Sequence, residues 1–330
     1  MKIRVFKAED IRQAISMAEA IEVVKDAFAQ LSSRKAQSPV RTPLTLKGQG
    51  EVALIMPAYL GDTMALGTKV VTVFPKNPQQ GLPAIQALVV LFDAATGSPL
   101  AIFEGTHLTR LRTGAATGAA TQVFSRPEAS KLALFGAGGQ ALAQVEGVLV
   151  ARKIERIMLF DILPQRVDSL MVALGESPWC GQVEILQASS PAEALREADV
   201  VVTATSASKP VFNGSLIERG AHINAIGSFR ADMQEVDEET IRRARIFVDS
   251  VQACLEEAGD LIIPLNKGLI QKADVLAEIG EVISGEKSGR KSNDEITYFK
   301  SVGNAVQDIS VAQAVWQRAV GKGLGQEVEL

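Results

Sequence analysis

The chain carries 330 residues, 47% of them hydrophobic, with 34 basic against 38 acidic side chains and a net charge of −4. That is apolar material for two cored domains, and the charge balance excludes the basic footprint of a nucleic-acid binder. No apolar run is long enough for a membrane helix, "MKIRVFKAED" lacks the apolar stretch of a signal peptide, and the cysteines, Cys180 and Cys254, are far apart without a partner pattern. A cytoplasmic protein with inert thiols is expected, and with His107 and His222 as the only histidines no metal site is expected.

In chain order, the first predicted element is a helix. Ser16 and Glu19 fit a capping box, and Met17, Ile21, Val24, Phe28 and Leu31 follow at helical spacing. After Pro39 the pattern turns to strands. "RTPLTL" and "VALIMPAYL" flank "KGQGE" as a hairpin, "ALGTKVVTVF" follows, and "QALVVLFD" and "PLAIFEG" flank the turn "AATGS". The first hundred residues thus read as a helix on a mostly antiparallel sheet. "TRLRTGAATGAATQVF" reads as a helix whose small residues allow a neighbour to come close, at some cost in helix propensity.

Beyond it, "KLALF", "RIMLF", "VEILQ", "DVVVTAT", "HINAIG" and "RIFVDS" are short apolar strands, mostly separated by helical stretches. That alternation predicts an α/β doubly wound parallel sheet. A last helix, "GNAVQDISVAQAVWQRAV", can fold back onto the first domain.

The turn "GAGGQA" lies between the strand "KLALF" and the helix that follows. Gly136, Gly138 and Ala141 match G-x-G-x-x-A, with Gly139 and Gln140 completing the loop. The first glycine permits the tight turn, the second lets backbone approach a pyrophosphate, and the small third residue packs helix on strand. Asp161 closes the next strand twenty positions after Ala141, where a carboxylate would accept from a ribose hydroxyl. Strand, turn, helix, strand and acid in register predict a dinucleotide site. The charge of Asp161 would repel a 2′-phosphate, which favours NAD over NADP, with NADP possible.

The stretches "TKVVTVFP", "LTRLRTGAATGAAT", "LFGAGGQA", "VVTATSASKPVF", "HINAIGSFRADMQEVD" and "FKSVGNAVQD" resemble, in order and over most of the chain, the ornithine cyclodeaminase/mu-crystallin family. The resemblance implies a discontinuous α+β substrate-binding and dimerisation domain, residues 1–118 with 306–330, around a Rossmann domain of 119–305. It also implies a homodimer, with the active site in a cleft between domains. The family's basic substrate residues fall on Arg41, Lys69 and Arg112. A guanidinium can grip the carboxylate of a small amino or imino acid through two parallel hydrogen bonds. Lys69 can contact the substrate or relay a proton, or it can be a solvated lysine on an edge strand. Arg110 and Arg112 lie about 200° apart around a helix and face different ways. Thr203, Ala204, Thr205 and Ser206, Gly227, and Ser301 to Gly303 are expected to border the nicotinamide.

One departure separates the activities within the family. Cyclodeaminases carry an aspartate two residues after the glycine matching Gly227, and this chain has Phe229 there. Asp232 with Glu235 reads as a capping box. Arg230, shared with the mu-crystallin-like ketimine reductases, would add a second clamp on a carboxylate. His107 has no role that the family requires, and His222 reads as a satisfied core residue. The expected activity is NAD(P)H-dependent reduction of a small cyclic imino acid, Δ1-pyrroline-2-carboxylate or Δ1-piperideine-2-carboxylate, to proline or pipecolate. The rivals are an ornithine cyclodeaminase, an open-chain alanine- or aspartate-forming dehydrogenase, and a non-enzymatic ligand-binding protein.

Overall fold

The protein is described by a computed structural model covering residues 1–46 and 50–329. The chain opens with β1 (Lys2–Phe6), α1 (Ala8–Ala14), α2 (Met17–Ser32), β2 (Ala36–Gln37), β3 (Thr42–Thr45), β4 (Val52–Leu60) and β5 (Ala65–Val73). Then come β6 (Ile85–Asp93), β7 (Pro99–Glu104), α3 (Gly105–Phe124), β8 (Lys131–Phe135), α4 (Ala141–Ala151), β9 (Arg156–Phe160) and α5 (Pro164–Gly175). They are followed by β10 (Glu184–Gln187), α6 (Pro191–Leu195), β11 (Val200–Thr203), β12 (His222–Ala225), α7 (Glu238–Arg243), β13 (Ala244–Val248), α8 (Val251–Glu257) and α9 (Gly259–Asn266). The last elements are β14 (Val275–Glu278), α10 (Ile279–Ile283), β15 (Ile296–Lys300), α11 (Ala305–Gly321) and β16 (Gln326–Glu329). Two compact units result, residues 1–112 with 304–330, and residues 113–303.

The first unit is built on a sheet of order β16-β1-β7-β6-β5-β4-β2, with β3 paired to β4. All its pairings are antiparallel except β1 with β7. The expected capping box starts α2, with the Ser16 side chain accepting from the Glu19 amide and the Glu19 carboxylate accepting from the Ser16 amide. The "AATGS" turn closes β6 on β7, the Asp93 carboxylate accepting from the Ala95 and Thr96 amides. In the hairpin expected around "KGQGE", Thr42 lies opposite Ile55 and Thr45 opposite Val52, whereas residues 47–49 of its turn lie outside the described residues.

One expectation needs correction: the chain opens on strand β1, not on a helix. Its partners β7 and β16 come from remote parts of the sequence. Five residues with only Ile3 and Phe6 buried carry little periodicity of their own.

Helix α11 packs across β4, β5 and β6 and against α2. Gly67 makes this approach possible: a Cβ there would stand 2.8 Å from Ile309 Cδ1 and 2.5 Å from the Val90 carbonyl. The residue after Asp308 is thereby seated on the strand that carries Lys69.

The second unit holds eight parallel strands in the order β10-β9-β8-β11-β12-β15-β13-β14. It is the doubly wound sheet expected from the alternation, and its central strands are buried on both faces, as parallel strands flanked by helices must be. The strand "ITYFK" (β15) was not anticipated; it inserts between β12 and β13, strands that precede it in the chain. Gly147 of α4 fits so closely against α3 that a Cβ would meet the Gly114 carbonyl at 2.1 Å, which is the use of the small residues in that helix. His222 is fully buried with Nδ1 3.0 Å from Thr297 Oγ1, and burial foremost, then the Arg290 charge, pushes it down to about 3, so the ring is neutral. Cys180 and Cys254 are buried free thiols. Among the described residues, no helix is long and apolar enough to cross a membrane.

Candidate active site

In the first unit, Lys69 sits mid-strand on β5, between Met56 of β4 and Val89 of β6, and only 2% of it is exposed. The edge-strand alternative is therefore excluded. Its Nζ lies 2.7 Å from Asp308 Oδ2. Arg112 reaches the same carboxylate, its Nε 3.0 Å from Oδ1, while Nη1 donates to Gln307 Oε1. Asp308 is fully buried in the first turn of α11, where the helix N-terminus favours a negative charge. One carboxylate thus gathers two cations and leaves a net positive charge, fit for an anion. Burial foremost lowers Lys69 to about 7; Asp308 holds it up, while the charges of Arg112 and Arg41 press it down. Arg41, half-buried just ahead of β3, is thereby placed within the electrostatic reach of Lys69. Arg110 is exposed and Arg112 buried, as their angular separation requires.

Sequence reasoning missed Asp308. A signal was present: it is the single acid in the otherwise neutral stretch "GNAVQDISVAQAV", every residue of which from Ala305 to Ala312 is buried. An acid inside such a run needs a buried cationic partner.

In the second unit, the expected cofactor residues gather at the carboxyl ends of β8, β11, β12 and β15, which are neighbours in the sheet, with Asp161 after the adjoining β9. Gly136 takes φ +98°, and a Cβ there would lie 2.7 Å from the Ala204 carbonyl, so both the backbone and its neighbour demand glycine. Around Gly138, by contrast, a Cβ would meet no protein atom within 4 Å. Protein packing does not demand glycine there; a closely approaching ligand would. Gly139 is exposed, Gln140 precedes α4 without capping it through its side chain, and Ala141 is fully buried. The first amides of α4 thus keep their affinity for an anion. Asp161 Oδ2 accepts from the Ala137 amide at 2.8 Å and Oδ1 from Leu163 at 2.9 Å. Each oxygen retains a further lone pair for a ribose hydroxyl. These residues fit a dinucleotide.

The capping box expected of Asp232 and Glu235 is wrong. Asp232 pairs with Arg230 (Nε–Oδ1 3.0 Å, Nη2–Oδ2 3.2 Å), and the helix that follows, α7, is capped by Asp237. Glu235 is fully buried and accepts from the Thr205, Gly227 and Ser228 amides at 2.6, 2.7 and 3.1 Å and from the Thr203 and Thr205 hydroxyls. It therefore ties the β11 loop to the β12 loop. Burial pushes its carboxyl up, opposed by the Lys300 charge and the Thr205 hydrogen bonds. Asp260 binds the Glu235 amide and is itself paired with Lys300 at 3.0 Å. Ala204 is half-buried, its amide bound to the Phe135 carbonyl, and Ser206 is exposed. The Ser301 hydroxyl and the Gly303 amide both donate to Asp249 Oδ2. Phe229 packs against the core below the β12 loop. Arg230 is exposed and paired with Asp232.

Residues 1–323 match the profile of the ornithine cyclodeaminase/mu-crystallin family. The chain belongs to that family. It is 42% identical over 326 residues, 98% of this chain and 99% of the other, to a Delta(1)-pyrroline-2-carboxylate reductase of Bacillus cereus. Among solved structures, Thermococcus litoralis Delta(1)-pyrroline-2-carboxylate reductase in complex with NADH and L-proline superposes with a TM-score of 0.93 at 38% identity, covering 99% of this chain and 100% of that one. An archaeal alanine dehydrogenase dimer with bound NAD superposes with a TM-score of 0.92 at 34% identity over the full length of both chains.

Proposed function

We propose that this chain is a cytoplasmic ketimine reductase that uses NADH to reduce Δ1-pyrroline-2-carboxylate or Δ1-piperideine-2-carboxylate to proline or pipecolate. The observation that carries this reading is the buried Lys69–Asp308–Arg112 cluster, a net positive charge built around a lysine that titrates near neutrality. The full-length likeness to pyrroline-carboxylate reductases supports it.

Arg112 spends Nε and one Nη1 hydrogen on Asp308 and Gln307, which leaves its outer Nη edge to bind the substrate carboxylate, with Arg41 adding charge. Lys69 delivers a proton to the imine nitrogen, or else helps to hold the carboxylate. NADH, held by the turn from Gly136 to Ala141, by Asp161 and by the loops at Thr203–Ser206, Gly227 and Ser301–Gly303, supplies the hydride. Phe229 leaves no carboxylate where a cyclodeaminase needs one. The decisive assay follows NADH oxidation with both cyclic imino acids, with pyruvate plus ammonia, and, for ammonia release, ornithine with catalytic NAD. Rapid turnover of the cyclic imines alone is expected; proline formation from ornithine would restore the cyclodeaminase, and pyruvate with ammonia as the better substrate would restore an alanine dehydrogenase.

Asp161 sets the cofactor preference. Asp161→Ser should raise the efficiency with NADPH relative to NADH, measured as the ratio of kcat/KM values, because it removes the charge that repels a 2′-phosphate. Equal use of both cofactors by the unaltered enzyme would refute the assignment.

The first unit, as we read it, also carries the dimer contact. Across its sheet Ile55, Val70 and Leu88 stand in register, exposed at 37%, 40% and 53%, with Leu44 and Ile85 exposed nearby. An apolar face of this kind calls for a partner surface, and a second copy of the chain fits the dimeric relative. Val70→Asp should turn a dimeric mass in light scattering into a monomeric one, with a lower melting temperature because the stabilisation by the partner is lost.

A further inference from the structure

The first turn of α11 holds a side chain that the reading above does not use. Asn304 is the N-cap of α11, with extended backbone at φ −124° and ψ 163°. An asparagine there ordinarily turns its side-chain oxygen onto an amide of the first turn. Ser16, Ser190, Asp237 and Ser250 do so at their own helices. Asn304 does not. It is only 8% exposed, and among the described residues neither Oδ1 nor Nδ2 has a hydrogen-bond partner. A buried amide unsatisfied at both ends, with a cap bond within easy reach, is costly and calls for an explanation.

Its position supplies one. Asp308 lies four residues on, one turn along α11, so Asn304 stands one turn ahead of the residue whose carboxylate gathers Lys69 and Arg112. Gln307, which receives Arg112 through Oε1, also leaves its Nε2 without a partner among the described residues. The start of α11 therefore presents unused amide groups beside the cationic cluster.

We infer that Asn304 is a further substrate-binding residue, whose amide recognises the imine nitrogen and the adjoining carboxylate of the cyclic imino acid together. The inference rests on the ketimine-reductase reading of the site. Once protonated, by Lys69 in the reading above, the ring imine presents an N–H donor one carbon away from a carboxylate acceptor. A primary amide presents the complement, an oxygen acceptor and an N–H donor on one carbon. A 2-oxo acid places a carbonyl oxygen where the imine has its N–H, so Oδ1 would face a lone pair. Asn304 then discriminates imines from the keto acids they resemble in size and charge, because a buried polar group left facing its like is penalised.

The test compares Asn304→Ala and Asn304→Ser in the full-length enzyme, with Δ1-pyrroline-2-carboxylate as substrate and pyruvate as competitor. Both variants should raise KM for the imino acid by tenfold or more and should lose discrimination against pyruvate as an inhibitor. NADH affinity by fluorescence titration should stay within about twofold. The melting temperature should hold in Asn304→Ala, which has no cap bond to lose, and rise in Asn304→Ser, whose hydroxyl can cap α11. Unchanged KM in either variant overturns the inference, whether melting falls, which marks a cap, or NADH affinity falls, which marks a cofactor contact. Arg112→Ala run alongside separates the two levels. Normal saturation there overturns the site reading and this inference with it, whereas a crippled Arg112→Ala beside a normal Asn304→Ala overturns the role of Asn304 alone.

Discussion

Arg112→Ala should cost about 2–5 kcal/mol of transition-state binding, the penalty of leaving the partner charge of a desolvated pair without its anchor. The loss should appear chiefly as failure to saturate with imino acid, since the contact exists in ground and transition states alike. Arg112→Lys should recover little. An ammonium can keep a charge near Asp308, but it cannot serve Asp308, Gln307 and a substrate carboxylate at once, which the planar fork does by spending Nε, Nη1 and its outer edge separately. Because a buried ion pair is broken, the alanine variant should also melt lower. The lysine variant is therefore the informative one: near-native melting with poor saturation assigns Arg112 to the substrate. Near-normal kcat/KM in both variants would make it a structural cation, and the site drawn here would be wrong.

The fold was legible wherever periodicity was local. The strands from "KLALF" to "RIFVDS" announce themselves as apolar runs because a parallel sheet covered on both faces needs no alternation. Three of the strands that escaped notice depend on remote partners: β1 and β16 pair with each other from the two ends of the sequence, and β15 slots between strands that precede it. Five residues, or four, do not carry enough pattern to reveal that.

The site was legible by residue type and illegible by partnership. Lys69 and Arg112 could be singled out, but the sequence did not say that they share a counter-ion 196 positions from Arg112. Glu235 shows the same limit from the other side. The spacing of Asp232 and Glu235 fits a capping box, yet burial gives Glu235 to the amides of two loops and leaves Asp232 to Arg230. A local motif supplies one set of hydrogen bonds, and tertiary structure offered this carboxylate five donors.

Asp308→Asn should move the alkaline limb of the kcat/KM profile to lower pH. Lys69 titrates at about 7 in the free enzyme, held up by Asp308 against burial and against the charges of Arg112 and Arg41, the charged groups that face it. As proton donor it must be charged, so kcat/KM in the unaltered enzyme falls as pH rises through about 7. In kcat the limb lies higher, because the bound carboxylate favours the ammonium. An ion pair at about 4 Å is worth about 4 kcal/mol at an effective dielectric of 20, so even a heavily screened remnant shifts the limb by at least about one pH unit. Asparagine keeps the shape and loses only the charge. Unfolding cannot mimic this result. With its folded pKa below the ordinary 10.5, Lys69 binds less proton folded than unfolded between about pH 7 and 10.5, so its contribution to stability rises with pH across the window in which activity falls. Lys69→Ala should lower kcat by about 10²–10⁴-fold and flatten the limb, and Lys69→Arg should stay slow because a guanidinium does not release its proton. An alkaline limb that survives in Lys69→Ala, or that stays in place in Asp308→Asn, would assign the proton to another group and leave Lys69 only the carboxylate to hold.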